Sequence, residues 1–247
     1  MTITIEGKEM RISLMERIAL WMTNHGMGDT WFRHILSPNQ INAIGWCHYY
    51  GICTTQNRSK GFQWYLAAAN KGLSKAMDNV GLYYYLGRGT DKNIEKAKVY
   101  FEKAAEKEAA DAQFTLAVIA EDEGDDRKSL KLLMAAAEQN HPQALNRLGD
   151  VYTQGLLGVE TDKERAFEYY ERAAEAGFWL AMIHLAQLYS DKKEVEKSKY
   201  WFGRATAQNP KEVEYLINNL KVMTNYKQKS GDKYLSELLQ NIGINQL

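Results

Sequence analysis

The 247-residue chain has only two cysteines and three prolines, carries no net charge, and contains no long apolar run. Each scarcity excludes something. Basic and acidic residues number 31 each, so there is no positive excess to neutralise phosphates and nucleic-acid binding is not expected. No stretch approaches the roughly 18 apolar residues of a membrane span. The apolar segment from Ile12 to Met22 is broken by Glu16 and Arg17 and has no small-residue cleavage motif. A secretory leader is therefore not expected, and a cytoplasmic location is. Cys47 and Cys53 stand six residues apart at a helix end, poor geometry for a disulfide, and read as one buried and one loop thiol.

The signatures of catalysis are missing as well. His25, His34, His48, His141 and His184 form no i, i+4 pair with a glutamate, and there is no CxxC, so no metal ligand is expected. Gly87-Arg88-Gly89 lies between two helical segments rather than after a strand and reads as punctuation, not a phosphate cradle. No serine elbow occurs, and the acidic run from Glu121 to Asp126 suits a solvated turn. No catalytic residue and no cofactor are expected. Alanine, leucine, glutamate and lysine abound, as in a mostly helical protein. Thr2 to Ile5 alone reads as strand, and briefly.

Aligned to itself, the chain repeats. Tyr169-Tyr170-Glu171-Arg172-Ala173-Ala174 echoes Tyr100-Phe101-Glu102-Lys103-Ala104-Ala105, with relatives at Trp64, Leu132 and Trp201. Four residues after the first bulky residue stands Ala68, Ala104, Ala136, Ala173 or Ala205, at separations of 36, 32, 37 and 32. An upstream motif keeps step: Ile44-Gly45, Val80-Gly81, Leu116-Ala117, Leu148-Gly149 and Leu185-Ala186. Five residues before the small one is Ala76, Ala112, Ala144 or Ala181, with Gln40 the exception, and three after it is Tyr84, Tyr152 or Tyr189. These offsets share one helical face. The small residue admits a neighbouring helix and the tyrosine fills the groove beside it, so each unit is a helical hairpin that buries its apolar face only by stacking. Glycine-bearing inserts from Leu86 to Asp91 and from Gly155 to Val159 join the two helices of the longer units, and Thr161 with Glu164 reads as a capping box. Pro38, Pro142 and Pro210 share one phase, at the first turn of a helix.

This pattern resembles the Sel-one-like repeat, a variant of the tetratricopeptide repeat with a glycine-containing loop between its helices. One unit carries it from Ala76 through Gly87, Gly89, Asp91, Lys96-Ala97 and Ala104-Ala105. Another carries it from Ala144 through Gly155, Asp162, Arg165-Ala166, Ala173-Ala174 and Gly177. The resemblance implies an all-α fold, a right-handed α-solenoid of about five two-helix repeats, and scaffolding or regulatory binding rather than catalysis. The expected organisation is an N-terminal helical cap over 1–38, a five-repeat solenoid over 39–210 and C-terminal capping helices over 211–247. The terminal helices are expected to cap the solenoid or to join two copies, leaving monomer and homodimer both open.

In a tetratricopeptide-like superhelix, offsets −3, +1 and +4 from the small residue line the concave surface. Here they include Trp46 and Tyr49, then Asp78, Leu82 and Tyr85, then Phe114, then Asn146 and Asp150. Large residues where burial is not assured have the character of binding anchors, although the chain's own terminal helices are an equal candidate to cover them. The expected function is a protein-interaction module holding a peptide or protein partner in this groove. The alternatives are a bacterial immunity protein neutralising a cognate toxin and a regulatory subunit of an enzyme complex.

Overall fold

The structure, a computed structural model, describes residues 2–5, 8–11, 14–24, 33–52 and 54–217. It opens with a feature the sequence barely signalled. β1 (Thr2–Ile5) pairs antiparallel with β2 (Lys8–Arg11), Thr2 opposite Arg11. The Thr-Ile-Thr-Ile run is β-branched throughout, which favours extended backbone. From residue 14 onward the described chain is helical, as expected: α1 (Leu14–Asn24), α2 (Pro38–Tyr50), α3 (Arg58–Asn70), α4 (Ser74–Leu86), α5 (Ile94–Ala105), α6 (Ala110–Asp122), α7 (Asp126–Glu138), α8 (Pro142–Gln154), α9 (Lys163–Glu175), α10 (Trp179–Asp191) and α11 (Val195–Gln208). Residues 210–217 are helical too, beginning at Pro210. Of the expected terminal caps, residues 25–32 and 218–247 lie outside the described residues, as does Cys53. Cys47 is a buried thiol outside any disulfide among the described residues. Two compact units divide the chain, one ending at Leu116 and the other beginning at Ala117, so α6 passes from one to the other.

Successive helices pair as hairpins, α2 with α3 and α4 with α5 in the first unit, α8 with α9 and α10 with α11 in the second. The small residue of each first helix is what permits the pairing. A Cβ on Gly81 would sit 2.7 Å from the Phe101 ring, and one on Gly149 would sit 2.5 Å from the Tyr170 ring. The aromatic ring of the second helix thus occupies the space that a side chain on the first helix would need. In the hairpin of α2 and α3 the contact is backbone to backbone, with Gly45 facing Gly61.

The second helices begin on a rule that self-alignment did not isolate. Asn57, Asn93, Asp125 and Asp162 each stand four residues before a small residue in the first turn or so of the second helix, Gly61, Ala97, Ser129 and Ala166. Each accepts a hydrogen bond from the backbone N–H three residues on, at 2.8, 2.8, 3.0 and 3.0 Å. Such caps satisfy a donor that the helix leaves orphaned. The expected capping box of Thr161 with Glu164 does not form, because Asp162 takes the cap position and Arg165 stands where the box would need a glutamate or glutamine. A capping box does form at Ser37: its Oγ accepts from the Gln40 N–H while Gln40 Oε1 accepts from the Ser37 N–H. That box explains why Gln40 replaces the alanine found in the other repeats.

The tyrosine three residues after the small one packs in two directions. Within a hairpin a cation from the second helix covers it: Lys96 over Tyr84 at 5.4 Å, Arg165 over Tyr152 at 5.5 Å, Lys197 over Tyr189 at 5.1 Å. Toward the preceding hairpin a phenylalanine meets it edge-on, Phe62 against Tyr84 and Phe167 against Tyr189.

Equivalent serines on two second helices differ instructively. Ser198 Oγ donates to the Ala186 carbonyl at 2.8 Å, whereas the Ser129 hydroxyl is buried with no partner. Alanine occupies this position at Ala97 and Ala166. Ser198→Ala should therefore cost about 1 kcal/mol, and Ser129→Ala should be neutral or stabilising. Chemical denaturation of the two variants checks this; equal losses would contradict it.

Candidate functional site

The first helices of the first unit carry the apolar half of the expected groove. Leu82 is 38% exposed, and Leu86, one turn on, is exposed beside it. Tyr85 is half-buried, with the Lys92 ammonium 5.8 Å from its ring centre. Trp46 is half-buried, its ring 5.3 Å from that of Tyr50, which is 50% exposed. Tyr50 and Leu86 were missed by reading offsets alone. The signal for both was i, i+4 spacing from Trp46 and Leu82, which puts each pair on one stripe.

Tyr49 belongs elsewhere. It is 4% exposed, stacked on Tyr83 at 4.6 Å and close to Tyr65, whose ring lies 5.2 Å from that of Tyr83. Burial pushes the Tyr65 and Tyr83 phenols upward from their ordinary range. Tyr49 is therefore a packing residue. The reason lies in Gly45 and Gly61: their close approach draws α3 over the end of α2. Asp78 and Phe114 are half-buried, and neither is without a partner.

In the second unit the residues at the corresponding first-helix positions belong to a polar network. The Arg147 guanidinium pairs with both oxygens of the Glu121 carboxylate. Tyr170 OH donates to Asp150 Oδ1 at 2.7 Å. Asn146, 6% exposed, places its Oδ1 3.2 Å from His184 Nδ1 and turns its amide toward Asp150 Oδ2 at 3.5 Å. His184 Nδ1 is 3.7 Å from Asp150 Oδ1, and the Tyr170 ring meets the imidazole edge-on at 4.6 Å. The structure thus joins Asn146 and Asp150, both expected, to Arg147, His184 and Tyr170, which were not. Arg147 and His184 share offset −2, a position without charge in the other repeats. Tyr170 occupies a slot where Phe101, Leu133 and Phe202 carry no hydroxyl.

Burial lowers the His184 pKa from its usual value, against an opposing pull from the Asp150 carboxylate. The unfolded chain then binds the proton more readily than the folded one. This contribution to stability is complete above the unfolded histidine range, near about 6.5, and is lost as pH falls through it. The melting temperature should drop between pH 7.5 and 5.5, and less so in His184→Gln. An unchanged pH slope in that variant would assign the drop to other groups.

Among the described residues no cluster of metal-ligating side chains occurs and no helix is long and apolar enough to cross a membrane. The architecture is that of a helical-repeat protein. The Sel1 repeat model matches residues 41–73, 74–108, 110–141, 142–178 and 179–210, and the chain belongs to the Sel1 repeat family. Chitin synthase regulatory factor 3 of Schizosaccharomyces pombe is 28% identical over 192 residues, 72% of this chain but 21% of that protein. The chain thus spans about a fifth of that relative. A Sel1 repeat protein from Oxalobacter formigenes is 27% identical with a TM-score of 0.69, the match covering 94% of this chain and 98% of that one. An immunity protein from Pseudomonas aeruginosa shares the fold at 18% identity and a TM-score of 0.55, over 83% and 82% of the two chains.

Proposed function

We propose that this protein is a non-enzymatic, cytoplasmic interaction module that binds a peptide segment of a protein partner along the face formed by its first helices. The observation that carries the reading is the row of exposed large apolar side chains on that face, Tyr50, Leu82 and Leu86, with Trp46 and Tyr85 half-buried beside them. Large side chains flanked by half-buried aromatics are the composition of an interface centre. In the first unit Tyr49 is buried against that face and Asp78 and Phe114 complete it half-buried, while Asn146 and Asp150 belong to the corresponding face of the second unit. A regulatory role toward an enzyme accords with the name of the fission-yeast relative. For an immunity role the shared fold is the whole of the support, with no residue-level observation behind it.

Peptide display against the intact protein tests the reading. Selection should enrich a common sequence motif whose binding falls at least about tenfold in Leu82→Glu, a loss typical of an interface anchor, while the variant melts like the wild type. A charged residue at an already exposed position should leave the fold intact. Enriched peptides indifferent to Leu82→Glu and Tyr85→Ala would contradict the assignment.

A further inference from the structure

The geometry points to a subsite for a cationic side chain, arginine or lysine, at Asp150 on the first-helix face of the second unit. It rests on the proposed binding face and specifies the chemistry of the partner there.

Charge is the first argument. Two carboxylates, Glu121 and Asp150, share one guanidinium, Arg147, which is committed to Glu121 and stands 3.9 Å from Asp150. With His184 neutral the cluster keeps one uncompensated negative charge.

Coordination is the second. Asp150 Oδ1 is engaged at 2.7 Å by Tyr170, but Oδ2 has only the Asn146 amide at 3.5 Å and Arg147 at 3.9 Å. A carboxylate oxygen can accept two hydrogen bonds. This one belongs to a side chain 19% exposed, and its protein partners, the Asn146 amide at 3.5 Å and the Arg147 guanidinium at 3.9 Å, are both at long range. Such an atom is costly unless a donor reaches it, and partial desolvation strengthens the attraction for a cation.

Position is the third. Asp150 stands at offset +1, the offset that places Leu82 on the exposed face of α4 and Trp46 on that of α2. Tyr170, Asn146 and His184 fix the carboxylate from three helices, α9, α8 and α10, so the acceptor is oriented before a ligand arrives. The Asn146 amide and the His184 imidazole are built-in reporters.

The test is an NMR titration of the full chain with N-acetyl-arginine methylamide, its neutral analogue N-acetyl-citrulline methylamide, and N-acetyl-lysine methylamide. The arginine probe should produce saturable shifts of the Asn146 side-chain amide and the His184 ring, with lysine following. Citrulline, and arginine against Asp150→Asn, should bind at least about tenfold more weakly, as expected when one partner of a close charge pair is removed. An equal response to arginine and citrulline in the wild type, or none at these reporters, overturns the subsite without recourse to any variant. Groove-dependent peptides from the display experiment would in that case leave the wider reading standing. Arginine binding with no groove-dependent peptides would support the subsite and count against the wider reading.

Discussion

Gly61→Ala should lower stability by about 2–3 kcal/mol, whereas Gly203→Ala should raise it by about 0.5–1 kcal/mol. Both glycines are helical, and on intrinsic propensity alone both substitutions would help. Their surroundings decide the sign. A Cβ at Gly61 falls 2.8 Å from the Gly45 carbonyl oxygen, the Tyr49 backbone nitrogen and the Tyr49 Cβ. Two of those atoms are backbone and none is the far end of a flexible side chain, so relief requires α2 and α3 to separate. Separation would also loosen the stacking of Tyr49 on Tyr83. A Cβ at Gly203 meets nothing within 4 Å, leaving only the gain in helix propensity. Urea denaturation of the pair measures this, and effects of the same sign would show that the glycine contact does not set the packing of this hairpin.

Trp64→Ala should cost about 3–5 kcal/mol, and Trp64→Phe less than about 1.5 kcal/mol. Trp64 is fully buried, the Arg33 guanidinium lies 4.9 Å from its ring centre, and His48 stacks on it at 6.5 Å. Of its equivalents, Tyr100, Leu132 and Tyr169 are only half-buried and Trp201 keeps 9% exposure, against none for Trp64. What makes Trp64 different is the segment before α2, where Lys71 Nζ donates to the His34 and Leu36 carbonyls, each at 2.9 Å. Arg172 makes the corresponding tie in the second unit, to the Ala137 carbonyl and Asn140. Residues 33–36 therefore sit where the end of a preceding repeat's second helix would sit. The indole N–H has no hydrogen-bond partner, so phenylalanine removes a stranded donor along with some contact area. Thermal melts of both variants separate the lost packing from the relieved donor. Equal damage from the two would contradict the burial argument.

The helical architecture was open to reading because the repeat states each rule several times. Alanine and glycine at fixed offsets, tyrosine at +3 and proline at the first turn are local demands of helix packing, and five imperfect copies expose them. The site was less legible, for two physical reasons. Offsets identify a face but not the tilt of each helix. Tyr49 occupies the groove offset, yet it is buried against Tyr83 beside the close approach of Gly45 and Gly61. The polar network could not be assembled from one copy, since Glu121, Asp150, Tyr170 and His184 come from four helices and share no periodicity. The run from Thr2 to Ile5 signals a strand only briefly, and its pairing with Lys8–Arg11 depends on a partner strand whose residues do not alternate.

The central claim is that binding takes place on the first helices, and amide hydrogen exchange on the intact protein with a display-selected peptide tests it most directly. Added protection should appear in α2, α4 and α8 and be absent from the outward residues of α3, α5 and α9. Protection concentrated on those second helices, with the first helices unchanged, would contradict the account.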